Sequence, residues 1–377
     1  MKKLFCLLLT LCLLLCGCAK ADTNPDPAPT QPTQTPTESA TQPTTLPVET
    51  TPATEPTQPV VDDGISRVYT NPLNGETLDE PFTNRLFAVC INNLEASLPH
   101  IGVTEADILM EMHVNGSIVR CIALYSDIRD AYAVGSVRST RLILTDIAER
   151  YDSFLVHAGG STPVMMDLGG RGLDHKNIDT QEYTDYSYRD FSRFEAGYPW
   201  EHCLFVKGEG MYNYAQAEGV ELTRNPNKSY GLTFTENATP VNGEDAREIT
   251  INIIHNDGSA KETFMEYSEE YNGYLRNQYG MTMMDGMTGY PEVYENVIVM
   301  KVKTTTTADG YHQGEFTRMG TGEGYFACGG KIIPIQWQCG GDGEPFTFVT
   351  TDGLPLDLNV GRTYIAIAGL KSTVIYE

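Results

Sequence analysis

The hydrophobic and polar positions of this chain fall into four stretches with different rhythms. Leu4 to Leu15 is one unbroken apolar run of about a dozen residues, short of the roughly 20 that a helix needs to span a bilayer. From Ala19 to about Asp63 the rhythm disappears into Thr, Pro, Gln, Glu and Ala. Arg67 to about Glu236 then alternates strand and helix signals. Leu86 to Ile91 is an apolar run ending in Asn92-Asn93, Ile108 to Val114 alternates strictly, and a second alternating run covers Ser117 to Tyr125. Leu142 to Tyr151 has helical spacing, Ser153 to Ala158 reads as a buried strand, and Pro163 suits the first turn of another helix. From about Glu248 the pattern becomes short β runs: Ile249 to Ile254, Tyr274 to Arg276, Asn296 to Val302, Lys331 to Trp337, Phe346 to Val349 and Thr363 to Ile367. The expected class is α+β, a mixed α/β domain over 65–240 followed by a β-rich domain over 245–377, the latter a small antiparallel barrel or sandwich.

One hairpin is specified closely enough to predict its pairs. Asn115-Gly116 between alternating runs is a strong two-residue turn signal. It places Val114 opposite Ser117 and therefore Glu111 opposite Arg120. One face then carries Leu109, Glu111 and His113 with Ile122, Arg120 and Ile118, and the other carries Met110, Met112, Val119 and Cys121. The second face is apolar and belongs to the core. The first holds either a structural ion pair or part of a polar site floor.

The first two stretches read as address and tether. Lys2 and Lys3 precede the apolar run, and Leu15-Cys16-Gly17-Cys18 follows it, which makes 1–17 a signal peptide with its cleavage site before Cys18. The segment is similar to a bacterial lipobox, which implies diacylglycerol transfer to Cys18 and anchoring to membrane lipid through two acyl chains. Residues 18–64 cannot bury enough apolar surface to offset their ordering entropy and are expected to be a disordered tether. In polyproline II about 45 residues reach roughly 140 Å, and as a flexible coil about 35 to 40 Å. The expected location is the extracytoplasmic face of the cell membrane.

Charge removes one class of partner. The chain has 26 Lys plus Arg against 50 Asp plus Glu, a net charge of -24, whereas nucleic-acid binding needs a basic surface. Of nine cysteines, Cys90, Cys121, Cys203, Cys328 and Cys339 remain after signal removal and lipidation. No CxxC spacing indicates a zinc site. Cys90 and Cys121 sit in apolar runs and read as buried thiols. Cys328 and Cys339 bracket a Gly-rich segment, a spacing compatible with neighbours on adjacent strands, and their pairing stays open. Gly169-Gly170-Arg171-Gly172 lacks the Gly-Lys-Ser/Thr of a phosphate loop, and no cofactor or metal is expected. Tyr290, Tyr294, Tyr311, Tyr325 and Trp337 suit a β core, with a sugar-stacking surface as the alternative.

Candidate chemistry concentrates between residues 111 and 202. In Val137-Arg138-Ser139-Thr140-Arg141 the two arginines straddle the start of a helix, with Ser139 or Thr140 as the expected cap. Backbone N–H groups, hydroxyls and guanidinium groups suit phosphate or carboxylate there, which makes Arg120, Arg138, Ser139 and Arg141 the candidate ligand-binding set. His157 lies at the end of a strand, where α/β sheets gather ligands. His157, His202 and Glu111 are the candidate catalytic residues. A nucleophile-elbow motif is absent around Gly159-Gly160-Ser161.

Several of these stretches together resemble one family. Phe87-Ala88-Val89-Cys90-Ile91-Asn92-Asn93, Ala106-Asp107-Ile108, Gly135 to Arg141, Tyr151-Asp152 and Val156 to Ser161 are similar to the DUF3048 family of YerB-like lipoproteins. Glu201-His202-Cys203-Leu204 resembles a later element of it. Tyr274-Leu275-Arg276, Asp285, Thr288-Gly289, Asn296 to Val299 and Gly361 to Ile365 resemble its second domain. The resemblance implies a two-domain exported lipoprotein and no particular reaction. Against that family pattern, Asn92, His100, Asn115-Gly116-Ser117 and Cys203 replace residues usual there, and the surviving Glu111, Arg120, Arg138, Arg141, His157 and His202 are better suited to an anion than to a divalent cation. The leading expectation is a lipid-anchored protein binding an anionic cell-envelope component. The alternatives are an enzyme acting on phosphorylated or glycan wall precursors, with His157 or His202 as general base, and a non-catalytic scaffold.

Overall fold

The computed structural model describes residues 68–180, 183–255, 258–306, 312–314, 319–341 and 343–377. The signal peptide, Cys18 and the Thr/Pro tether lie outside the described residues. Among the described residues no helix is long and apolar enough to cross a membrane.

Eighteen strands and four helices suffice to follow the chain. They are β1 (Phe87–Asn92), β2 (Ile108–Asn115), β3 (Ile118–Tyr125), β4 (Ala133–Gly135), α1 (Leu142–Arg150), β5 (Phe154–His157), α2 (Thr162–Arg171), β6 (His175–Asn177), β7 (Ser187–Arg189), α3 (Phe191–Glu195), β8 (Leu204–Lys207) and α4 (Gly208–Ala217). The second half contributes β9 (Glu244–Asp245), β10 (Glu248–Ile254), β11 (Ala260–Ser268), β12 (Gly273–Gln278), β13 (Asn296–Val302), β14 (Gly320–Cys328), β15 (Lys331–Cys339), β16 (Phe346–Thr350), β17 (Thr363–Gly369) and β18 (Thr373–Tyr376).

The result is a mixed fold dominated by sheet. One 11-stranded sheet runs β9-β15-β14-β13-β17-β2-β3-β1-β5-β6, with β16 on β15. The C-terminal strands therefore do not close a separate barrel. β17 lies parallel to β2, with Thr363 beside Ile108 and Ile367 beside Met112, so the sheet crosses from one half of the chain to the other. β10, β11, β12 and β18 belong to a second, six-stranded sheet. β4, β8 and β7 form a third.

Apolar patterning explains the layers. β10 reads Glu-Ile-Thr-Ile-Asn-Ile-Ile, and its Ile249, Ile251 and Ile253 are buried while the alternate residues are not. They pack with Met265 and Tyr274 against Leu109, Cys121, Val297, Val299 and Ala366 of the large sheet. The opposite face is covered by α1, whose Ile143, Leu144 and Ile147 meet Ala88, Cys90, Met110, Ile122 and Ile365. Each such fully buried aliphatic contributes about 1.5 to 3 kcal/mol. β1, β5 and β17 are covered on both faces, which is why they read as continuous apolar runs and not as alternating ones.

The hairpin departs from its expected register. Asn115 pairs with Ile118, a bulge lies between His113 and Asn115, and Met112 opposes Arg120 while Glu111 opposes Cys121. Gly116, with φ of +53°, opens the turn. The extra residue at the bulge slips the pairing by one, so partners predicted on one face separate to opposite faces. The predicted Glu111–Arg120 pair therefore does not form.

One smaller expectation also changes, and one open pairing is resolved. Arg141, not Ser139 or Thr140, is the N-cap of α1, without a side-chain cap bond. Cys328 and Cys339 both end as free thiols. Cys328 pairs with Lys331 and Cys339 with Gly320, at opposite ends of the β14–β15 hairpin. The two glycines between Cys328 and Lys331 make the turn, so the chain reverses immediately and carries Cys339 to the far end.

Candidate functional site

The Val-Arg-Ser-Thr-Arg segment is wedged into the large sheet. β1 and β5 run parallel and pair only from Phe87 to Val89 against Phe154 to Val156. Beyond that they part, and residues 136–140 fill the gap. Ser136 O accepts from Asn92 N at 2.9 Å, Arg138 N donates to Cys90 O at 2.8 Å, and Arg138 O accepts from Ala158 N at 3.0 Å. Thr140 N donates to Gly159 O at 3.0 Å. These bonds satisfy backbone groups that parting strands would otherwise bury without partners. They also hold the segment at the carboxyl ends of β1 and β5.

The arginines fall around this segment. Arg120 is buried and donates from Nη1 to Ser139 O at 2.7 Å, and Arg141 is buried with Nη1 donating to Thr140 O at 2.7 Å. Arg138 is half-buried, and its guanidinium makes no hydrogen bond or ion pair among the described residues. Its pKa is lowered, chiefly by burial and also by Arg189, against the opposing pull of Glu201 and Asp179. Arg189 is spent on carbonyl oxygens, bonding Trp200 O at 3.0 Å and Asp179 O at 3.2 Å. Four guanidinium groups thus surround one segment of a strongly acidic chain.

His157 closes the end of β5. Its Nδ1 lies 2.8 Å from Gly159 O and its Nε2 lies 3.0 Å from Nδ1 of His175. A carbonyl only accepts, so Nδ1 of His157 carries the proton and Nε2 accepts from His175. Burial pushes the His157 pKa down to about 4, with the Gly159 carbonyl opposing and His175 reinforcing. His175 is also lowered, mainly by burial. Gly159, with φ of +74°, makes the turn, and Asn177 Oδ1 accepts its N–H at 2.8 Å. His202 is buried, with Nδ1 2.9 Å from Ala96 O.

Glu111 is also apart from the arginine segment, between the two large sheets. Its Oε2 accepts from Tyr364 Oη at 2.6 Å, Gln278 Nε2 at 2.8 Å, Thr263 Oγ1 at 3.1 Å and Arg276 Nη2 at 3.1 Å. Asn93 donates to Oε1 at 3.0 Å, and Lys261 stands 3.9 Å away. Arg276 reaches on to Glu292 at 2.7 Å, and Glu292 meets His100 Nδ1 at 3.0 Å. Glu111, Arg276, Glu292 and His100 are all fully buried. Burial alone would raise the pKa of both carboxyls. Lys261 and Arg276 nevertheless hold Glu111 below its ordinary value, and Arg276 and His100 hold Glu292 far below. Burial pushes Lys261 down to about 8 despite Glu111.

The sequence carried a signal for this network. Arg276 and Gln278 occupy inward positions of β12, and Lys261 and Thr263 inward positions of β11. A charge at an inward position of an alternating strand demands a buried partner. His175 gave no such signal, because its partner is fixed only by the parallel pairing of β5 with β6.

The class defined here is a mixed, mostly sheet protein whose two halves share one sheet and interlock through buried charge. The chain belongs to the DUF3048 family: residues 73–221 match "Protein of unknown function (DUF3048) N-terminal domain" and residues 250–365 match the corresponding C-terminal domain. It is 25% identical over 298 residues to "Putative lipoprotein YerB" of Bacillus subtilis (strain 168), an alignment covering 78% of this chain and 85% of that protein. Its fold is similar to the crystal structure of Bacillus subtilis YerB, with a TM-score of 0.69 at 23% identity over 81% of this chain and 99% of that one.

Proposed function

We propose that the protein is a lipid-anchored, extracytoplasmic receptor for an anionic group of the cell envelope, held at Arg138. The observation that carries the reading is the half-buried Arg138 guanidinium, unbonded among the described residues and within the field of Arg189, on a segment whose carbonyls Arg120 and Arg141 bond. A partly desolvated guanidinium with open donors is suited to a phosphate or carboxylate, because its fork matches two acceptor oxygens. The similarity to a putative lipoprotein and the lipobox-like Cys18 favour a site of action outside the membrane.

Binding is favoured over catalysis. A His157 pKa near 4, with both ring nitrogens engaged by Gly159 and His175, makes a weak base at neutral pH. Glu111 is committed to five donors inside the protein. The test is calorimetric titration of the full-length protein in neutral detergent with inorganic phosphate and pyrophosphate. A charge-assisted bond is worth about 1.5 to 3 kcal/mol, so Arg138→Ala is expected to weaken binding at least tenfold, with Arg138→Lys intermediate. Failure of both anions to bind, or equal binding by Arg138→Ala, overturns the proposal.

A further inference from the structure

A groove of about 1100 Å³ lies away from the arginine segment, between residues 129–132, residues 183–186 and the first turns of α4. Its walls are fixed by glycines. A Cβ on Gly208 would stand 2.0 Å from Ile128 O, and one on Gly210 would stand 2.2 Å from Asp185 O. Both walls therefore close directly onto the helix backbone. The rims carry Tyr132 and Tyr183, which are 78% and 74% exposed. Large aromatic rings left in water on two sides of a concave surface mark a binding surface more often than chance.

The lining selects the chemistry of the occupant. A cationic ligand is disfavoured because the protein's own cations already sit on three of the four tyrosine rings of the lining. Lys207 Nζ is 4.6 Å from the Tyr183 centroid, and Lys176 Nζ is 4.2 Å and 5.0 Å from those of Tyr214 and Tyr186. An anionic ligand would meet Asp130, Asp185 and Glu209, while the two cations of the lining are already engaged, Arg129 by Asp127 and Lys207 by Thr184 O. A purely apolar one would strip water from those carboxylates without returning hydrogen bonds. What remains is a neutral molecule with C–H faces to lie on tyrosines and many hydroxyls to bond carboxylates and the amide of Asn213.

We infer that this groove binds a neutral oligosaccharide, with Tyr132 and Tyr183 as stacking platforms. The site is separate from the one proposed for anions and stands or falls independently. The test is calorimetric titration of the full-length protein in neutral detergent with chitotetraose. Tyr132→Ala and Tyr183→Ala are each expected to weaken binding about tenfold or more, while Tyr132→Phe and Arg138→Ala stay within about threefold of the unaltered protein. Both tyrosines are exposed, so circular dichroism and urea midpoints should not change. No binding at millimolar sugar overturns the inference, as does undiminished binding by the Tyr132→Ala/Tyr183→Ala double variant. Tyrosine-dependent binding of a proline-rich peptide without sugar binding also overturns it.

Discussion

Replacing Arg276 by methionine tests whether the buried network holds the two halves together. Among the described residues Arg276 is the one group bonded to both carboxylates, at 3.1 Å to Glu111 and 2.7 Å to Glu292. Methionine keeps an unbranched apolar stem, two atoms shorter along the chain, and removes the charge. Glu111 keeps Tyr364, Gln278, Thr263 and Asn93, with Lys261 near, whereas Glu292 keeps only His100 and Tyr294. Removing one partner of a buried ion pair costs about 3 to 5 kcal/mol, because the other charge stays buried. At a urea m-value of about 3 kcal/mol/M the midpoint falls by roughly 1 to 1.7 M. The sign with pH follows from linkage. Both carboxyl pKa values are depressed in the folded state, so their contribution is fully present above the unfolded value of about 4.3 and is lost progressively as pH falls from there through the folded values, which for Glu292 lie far lower. The difference in urea midpoint between the variant and the unaltered protein should therefore be smaller at pH 3.5 than at pH 7. A midpoint shift below about 0.3 M at pH 7 would refute the reasoning, since a loss of about 1 kcal/mol is what an exposed pair gives.

Three further outcomes follow from other parts of the chain. His157 is buried neutral with a folded pKa near 4, below the unfolded value of about 6.5, so its contribution is present above pH 6.5 and lost between 6.5 and 4. His157→Gln should flatten the urea-stability slope in that window by about 3 kcal/mol in total, and an unchanged slope would contradict the burial argument. All five described cysteines are buried free thiols, so alkylation before unfolding should label few of them and alkylation after unfolding without reductant should label all five, as read by mass spectrometry. Cys18→Ser should release intact, folded protein from membranes into the medium, as read by fractionation and immunoblotting. A variant that stayed in the membrane fraction would contradict lipid anchoring at Cys18.

Local order was legible wherever one residue type decides the backbone. Asn296 to Val302 is a strand with the expected limits, Leu142 opens α1 as its spacing predicts, and Pro163 lies in the first turn of α2. These depend on short-range periodicity and on the fixed φ of proline. The hairpin shows where that legibility stops. Asn115-Gly116 marks the turn correctly, yet a single bulge residue moves Glu111 from Arg120 to Cys121. A bulge has no composition signature, and a slip of one residue changes which layer each side chain faces.

The same slip explains why the candidate set divides. With Glu111 turned toward the second sheet, its partners other than Asn93 come from β11, β12 and β17, more than 150 residues away in sequence. Arg120, left on the face covered by α1, bonds the carbonyl of Ser139 and helps fix the inserted segment. The acidic and basic residues of one hairpin thus do separate work. Glu111 joins the halves of the molecule, and Arg120 positions the backbone from which Arg138 projects. A site that needed Glu111 and Arg138 in one reaction would have to reach through the sheet, whereas an anion held at Arg138 requires only the face on which the segment is already built.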